Sequence, residues 1–367
     1  MAEVIANADF SQAGEGLAVS SETKTRQRPV AIWLFVMAGL VLTMILVGGA
    51  TRLTESGLSM TDWHPIHGVI PPQTEAEWNR EFEAYKAYPE YQKINRGMSL
   101  SAFKAIFWWE YAHRILGRCI GIAFFVPMVF FWWSGRLQGI RGRVLVLFAL
   151  GGAQGLLGWY MVQSGLVDRP SVSQYRLTAH LSLAVLLFSA LFWSALDVMR
   201  LPVWHEKETL AHRVRGWSLV LLIGFAIQIV LGGFVAGMDG GLAATDWPKM
   251  LGAWLPSGLY PVDLSWRAGF ELPLTAQFQH RIGAYVLVLL TAIAFWRLWG
   301  RGAGRALKMS VLTITTLVAL QVLLGILTVL HFVPVGLGVA HQGTAILLLG
   351  STLFLHHRAR AALNASM

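Results

Sequence analysis

Charge is scarce in this sequence. Of its 367 residues, 13% are Asp, Glu, Lys or Arg, roughly half the share of a soluble domain. Cysteine is nearly absent. Cys119 stands alone in an apolar segment, which excludes an internal disulfide and a thiolate metal cluster. The start of the chain lacks the apolar run of a cleaved signal peptide. Its Glu3, Asp9, Glu15 and Glu22 also argue against a mitochondrial transit peptide. Residues 1–29 are therefore expected to be a disordered cytoplasmic tail. Acids are missing altogether from two Arg-bearing segments, 134–143 and 297–308.

Apolar residues fill the space that charge leaves. They make up 55% of the chain, with mean hydropathy +0.54, 16 Trp and 19 Phe. Aromatics in such numbers suit belts at the two bilayer interfaces. Eight apolar runs, near 30–50, 112–133, 143–163, 177–199, 216–236, 277–298, 309–330 and 337–356, have the roughly 20 residues that cross a bilayer as helix. The expected fold is an all-α integral membrane protein of eight transmembrane helices.

The charges that remain are sorted by loop. The segments 134–143, 199–216, 297–308 and the C-terminal tail carry Arg136, Arg141, Arg143, Arg200, Arg213, Arg215, Arg297, Arg301, Arg305, Arg358 and Arg360. The opposite segments, 51–111, 164–176 and 237–276, hold more acids than bases. The positive-inside bias then places both termini in the cytoplasm and the long loops outside. It also accounts for the net charge of +9 without a nucleic-acid partner.

The chain repeats itself. VGGATRLTESGLSMTDW (47–63) aligns without a gap on LGGFVAGMDGGLAATDW (231–247). EYAHRI (110–115) aligns on QFQHRI (277–282), QGLLG (154–158) on QVLLG (321–325), and AHLSLAVLL (179–187) on AHQGTAILL (340–348). One match per helix, in one order, predicts two pseudo-twofold related four-helix bundles. These are 30–199 and 216–356, joined by a cytoplasmic linker, 200–215, and followed by a cytoplasmic tail, 357–367. Each half has an even number of spans, so the repeat is parallel, with its axis along the membrane normal. The first outer loop is about 17 residues longer than its counterpart, and its amphipathic stretches are expected on the membrane surface.

Four histidines fall at matched positions: His113, His180, His280 and His341. Each is expected to begin an even-numbered span, which puts all four rings near the outer surface. Two imidazoles facing each other across neighbouring helices suit the two faces of a haem iron. Arg114 and Arg281, next in sequence to two of them, suit its propionates. Two His per half are too few for a zinc site. A lone histidine at a helix end is ordinarily an interfacial or capping residue; the fourfold recurrence is what points to ligation. His205, His212, His356 and His357 read as decoration of the cytoplasmic side. His331 aligns with Ser164, and His64 and His67 flank Pro65 in the outer loop; none of these three has an assignable role. Gly48, Gly49, Gly232 and Gly233 are expected to allow close approach of helices or haem, and Asp62 and Asp246 to cap short surface helices.

These motifs, the EYAHR and QFQHR pair, the GGATRLTESGLS stretch and the HxxxxA starts of two spans, resemble the haem A synthase family over essentially everything after residue 30. Lacking a cysteine pair in an outer loop, the chain is similar to the cysteine-poor subclass of some bacteria and mitochondria. The resemblance implies an oxidoreductase that converts haem O to haem A, oxidising the C8 methyl to a formyl group through an alcohol, for cytochrome oxidase assembly. It implies a haem b cofactor on His280 and His341, and substrate haem O on His113 and His180. All four would be axial iron ligands. It also implies a haem O synthase and an electron donor as partners, a location in the bacterial inner membrane with the haem sites toward the periplasm, and it leaves room for a homo-oligomer. Glu110, three residues before His113, faces the neutral Gln277 at the matched position. That contrast marks Glu110 as the catalytic candidate, against the plainer reading of an interfacial acid paired with Arg114. A membrane di-haem b electron carrier is the main competing reading. A transporter would need intramembrane charge pairs that the sequence does not display.

Overall fold

The computed structural model describes residues 2–60, 69–165, 172–204, 206–300 and 302–366. These contain no strand, only one isolated bridge between Met250 and Ala253. Eight long helices carry apolar spans: α1 (Ala2–Leu53), α4 (Leu100–Trp133), α5 (Arg141–Gly165), α6 (Gln174–Met199), α7 (Glu208–Gly237), α9 (Pro273–Leu298), α10 (Arg305–Leu330) and α11 (Val335–Ser366). Helix is what a bilayer demands, because it satisfies every backbone N–H and C=O within the segment. Three short helices lie outside the spans: α2 (Glu75–Lys86), α3 (Pro89–Lys93) and α8 (Ala268–Glu271). The outward sides of α4, α5 and α9 expose Ile122, Val126, Phe130, Leu156 and Leu289. A surface so apolar is the inverse of one facing water, so the chain is a multi-pass membrane protein.

Helix packing follows the repeat. In the first half α1 packs on α4 and α6, and α5 on α4 and α6; in the second, α7 packs on α9 and α11, and α10 on α9 and α11. The halves meet through α1 on α11, α6 on α7, and α6 on α11. Exchanging the halves maps this pattern onto itself, as a twofold relation requires. The Gly-Gly pairs explain the close approach. A Cβ on Gly49 of α1 would run into the Gln342 side chain of α11, and one on Gly233 of α7 would lie 3.1 Å from Thr178 Cγ2 of α6. The second glycine of each pair thus serves the contact between halves.

Four boundaries differ from expectation, one being the start of α7 at Glu208, inside the expected linker 200–215. The second span begins not near 112 but at Leu100. Its extra turns are held by the long outer loop, where Trp78, Phe82 and Tyr85 from α2 bury against Phe103 and Phe107. The loop is therefore a folded aromatic cap on α4. Thr74 and Glu77 form a capping box that starts α2. The chain before the first apolar run continues α1 as far as Ala2, with Pro29 inside the helix. The C-terminal tail likewise runs on as α11. There Arg358 is 2% exposed, sits over Trp204 and donates to the Leu201 carbonyl.

Candidate haem sites

Each of the four histidines sits against a glycine on the span that precedes its own. A Cβ on Gly48 of α1 would lie 3.6 Å from His113 Nε2 on α4. The corresponding distances to ring Cε1 are 3.1 Å for Gly158 and His180, 3.1 Å for Gly232 and His280, and 2.9 Å for Gly325 and His341. The first glycine of each Gly-Gly pair therefore makes room for a ring.

In the second half the His280 and His341 rings lie edge to face, with centroids 6.4 Å apart at an interplanar angle of 73°. One metal ion bonded at about 2 Å to a nitrogen of each ring would place the centroids about 6 Å apart, so this pair fits the two axial positions of a haem. Among the described residues, no group of three or more His, Cys, Asp or Glu is assembled. His113 and His180 occupy the matching places of the first half. His113 lies well inside α4, thirteen residues after Leu100, and does not begin the helix.

Glutamines complete the second half. Gln228 Nε2 lies 3.1 Å from His280 Nδ1 and donates to the His280 carbonyl at 2.8 Å. Gln321 Nε2 lies 3.2 Å from His341 Nδ1, which is itself 3.1 Å from the Gln321 carbonyl. In the first half Gln154 Nε2 lies 3.2 Å from His180 Nε2 and donates to the His180 carbonyl at 3.1 Å. The sequence held a signal for these residues. Gln154, Gln228 and Gln321 each precede the seating glycine by four, one helical turn along the same face.

Glu110 is 2% exposed and fully engaged. Its Oε2 accepts from Ser59 Oγ at 2.7 Å and the Met60 amide at 2.8 Å, and its Oε1 pairs with Arg114 at 2.5 Å. Gln277 holds the matching loop with the opposite polarity, donating to the carbonyls of Gly241 at 3.2 Å and Ala244 at 3.0 Å. The arginines expected to meet propionates also hold these loops. Arg114 donates to the Met60 carbonyl at 2.8 Å, and Arg281 to the carbonyls of Ala244 at 3.0 Å and Asp246 at 2.9 Å.

Residues 31–353 match the COX15-CtaA family, described as cytochrome oxidase assembly protein. The chain belongs to this family. Among its relatives is a protein of Parvibaculum lavamentivorans named heme A synthase, 46% identical over 92% of this chain and 96% of its own length. Proteins of the same name from Brucella anthropi (44% identical, 92% of this chain and 93% of theirs) and Rhizobium meliloti (46%, 89% of each) are equally similar.

Family membership leaves the outlying residues to be placed. His64, His67, Asp62 and His205 lie outside the described residues. Asp246 caps a turn and not a helix; the amides of Gly252 and Leu251, at 2.9 and 2.8 Å, hold its carboxyl below the usual range. His331 Nδ1 meets the Leu327 carbonyl at the end of α10, at 2.9 Å. His212 fits the decorative reading, standing exposed on α7 at 3.8 Å from Glu208. His356 and His357 do not. His356 Nδ1 meets Ser218 Oγ at 2.9 Å, and the nearly buried His357 bonds Asp197 at 2.8 Å. Arg143 reaches the same Asp197 at 2.6 Å. A sequence window sees His-His-Arg beside a basic tail and cannot see the carboxylate of α6 that buries them.

Proposed function

We propose that the chain, a membrane oxidoreductase of the haem A synthase type acting on haem O, divides its halves between a resident cofactor and the substrate. The carrying observation is the fourfold recurrence of a histidine seated on a glycine of the preceding span, twice in each half. His280 and His341 would hold haem b; His113 and His180 would receive haem O, whose C8 methyl would become the formyl of haem A. A haem b bound there supplies one-electron chemistry.

The chain's own residues do the positioning. Gly48 and Gly158 let α1 and α5 close on the first pair of rings, and Gly232 and Gly325 do the same for the second. Glu110 and Arg114 tie Ser59 and Met60 down beside His113, while Arg281 and Gln277 tie down Ala244 beside His280. Pinned loops at the ligand level keep water from the sites, which strengthens electrostatic interactions within them. Glu110 lies one turn before His113 on the same face. It is the acid placed to take a proton released as the methyl is oxidised, and it would exchange the Ser59 hydroxyl for that proton. The Arg-rich segments support a reading with both termini in the cytoplasm of a bacterial inner membrane and the four histidines toward the periplasm. Oxidising a methyl to a formyl removes electrons and adds an oxygen atom, so with dioxygen as the oxidant the scheme requires an electron donor to reduce it and a haem O synthase to supply the substrate.

The test is pigment analysis of the purified protein, expressed with and without a haem O source. Mass spectrometry should find haem b alone without the source, and haem O, its alcohol and haem A with it. His280→Ala should remove the low-spin haem b signal, and His113→Ala should leave it in place. Haem b alone under both conditions would instead identify an electron carrier.

A further inference from the structure

Three of the four histidines share a partner that the fourth lacks. On α5, α7 and α10, the seating glycine is preceded one turn earlier by Gln154, Gln228 and Gln321, and each amide reaches a ring nitrogen of its histidine at 3.1–3.2 Å. On α1 the same position, one turn before Gly48, is Met44. Among the described residues no hydrogen bond reaches the His113 ring. Gly117 of α4 packs on this methionine, a Cβ there lying 3.2 Å from Met44 Cε.

We propose that this glutamine-to-methionine exchange, Gln228 one turn before the glycine that seats His280 and Met44 one turn before the glycine that seats His113, makes the second half retain its haem and the first half release it. The inference rests on the division of the halves proposed above. An imidazole that binds iron through one nitrogen carries a proton on the other, and that N–H needs an acceptor to fix the ring's tautomer and orientation. A glutamine amide supplies one through its oxygen, which a half-turn of the amide exchanges with its nitrogen. Free acceptors are present: Gln154 Oε1 and Gln321 Oε1 are buried and unpartnered among the described residues. A methionine thioether of similar length is a weak acceptor and holds the ring by packing alone.

The second site thus has a glutamine amide beside both of its histidines, and the first beside one. Loss of such an outer partner typically weakens metal binding by about 10–100-fold. The sign suits a cofactor that stays and a product that must leave. Gln228, Gln154 and Gln321 are positioning residues, since they act through their histidines.

The experiment uses the full-length protein and a reciprocal pair, Gln228→Met and Met44→Gln. Two readouts are followed: the rate of haem transfer to a soluble haem acceptor, and the midpoint potential of each haem. Gln228→Met should release the resident haem about 10–100-fold faster and raise its potential, because an imidazole that no longer donates is a poorer electron donor to iron. Met44→Gln should do the reverse in the first half, slowing release there and lowering the potential. A misfolded variant cannot produce that gain, so Met44→Gln decides the matter if Gln228→Met fails to fold. An unchanged rate or potential in a folded variant overturns the inference. If His280→Ala keeps its haem b, it is instead the division of the halves that fails.

Discussion

The two halves pin their outer loops to the histidine helix at the same place with reversed hydrogen-bond polarity. In the first, the loop offers donors, the Ser59 hydroxyl and the Met60 amide, and α4 answers with a carboxylate. In the second, the loop turns the carbonyls of Gly241 and Ala244 inward, and α9 answers with the amide of Gln277. The arginine that follows each histidine is indifferent to the reversal, because both loops give it a carbonyl, Met60 or Ala244. A Glu in one repeat and a Gln in the other therefore reports the polarity of the facing loop as well as any chemistry, and the two must be separated by experiment.

The sharpest way to break this comparison is at Glu110. Glu110→Gln keeps the size but cannot take a proton, and haem A formation should fall by about 10²–10⁴-fold while the haem on His280 and His341 remains. The substitution also disturbs Arg114 and the loop, so Ser59→Ala is needed beside it. That variant removes a loop hydrogen bond and leaves the carboxylate. Haem composition of the two purified variants separates the roles: a shared large defect assigns Glu110 to loop pinning, and near-normal haem A in Glu110→Gln ends the catalytic assignment.

How much of this was legible in the sequence depends on the range of the interaction. The spans, the repeat and the four histidines follow from local hydropathy and internal alignment, and the structure places the eight helices within a few residues of most expected bounds. Leu100 is not legible as a helix start because the first turns of α4 are stabilised by Trp78 and Phe82, about twenty residues away in sequence. His357 reads as surface decoration because its partner, Asp197, is 160 positions distant. The glutamines were visible as a repeated letter, but their meaning required the ring beside them.

A second asymmetry lies at the other end of the molecule. The repeat places Asp197 of α6 where the second half has Arg358. Asp197 bonds His357 of α11 and Arg143 of α5, joining the halves. Asp197→Ala leaves His357, 7% exposed, without that partner. Asp197 itself is partly open, which moderates the loss to about 1–3 kcal/mol. Thermal unfolding in detergent should show the drop, with the haem spectrum at His280 and His341 unchanged below the transition. An unaltered midpoint would mean that this end of the interface is held by packing alone.

The smallest expected effect concerns the aromatic cap, which the second half lacks. Glu90 of α3 is 5% exposed, with one oxygen buried and unpartnered. Burial raises its carboxyl from the ordinary 4.5 to about 8; the Tyr85 hydrogen bond opposes the rise, and the charges of Glu110 and Glu55 add to it. The folded cap therefore favours the neutral acid. Below pH 4.5 the group is protonated whether the cap is docked or open, and its contribution to docking is fully present. Between about 4.5 and 8 the open form ionises and the docked form does not, so stability falls as pH rises. Above the upper value both forms are ionised and the dependence levels off. Glu90→Gln removes the titration and should stabilise the cap at neutral pH, each tenfold difference in proton affinity being worth about 1.4 kcal/mol at most. Hydrogen exchange of residues 75–107 measured from pH 5 to 8.5, corrected for the intrinsic rate, reads this directly. Protection should decline with pH in the native chain and stay level in the variant. Parallel profiles would show that another group governs the cap. A matching decline in the loop 238–272 would show that the effect belongs to the whole outer face and not to the half that carries Glu90.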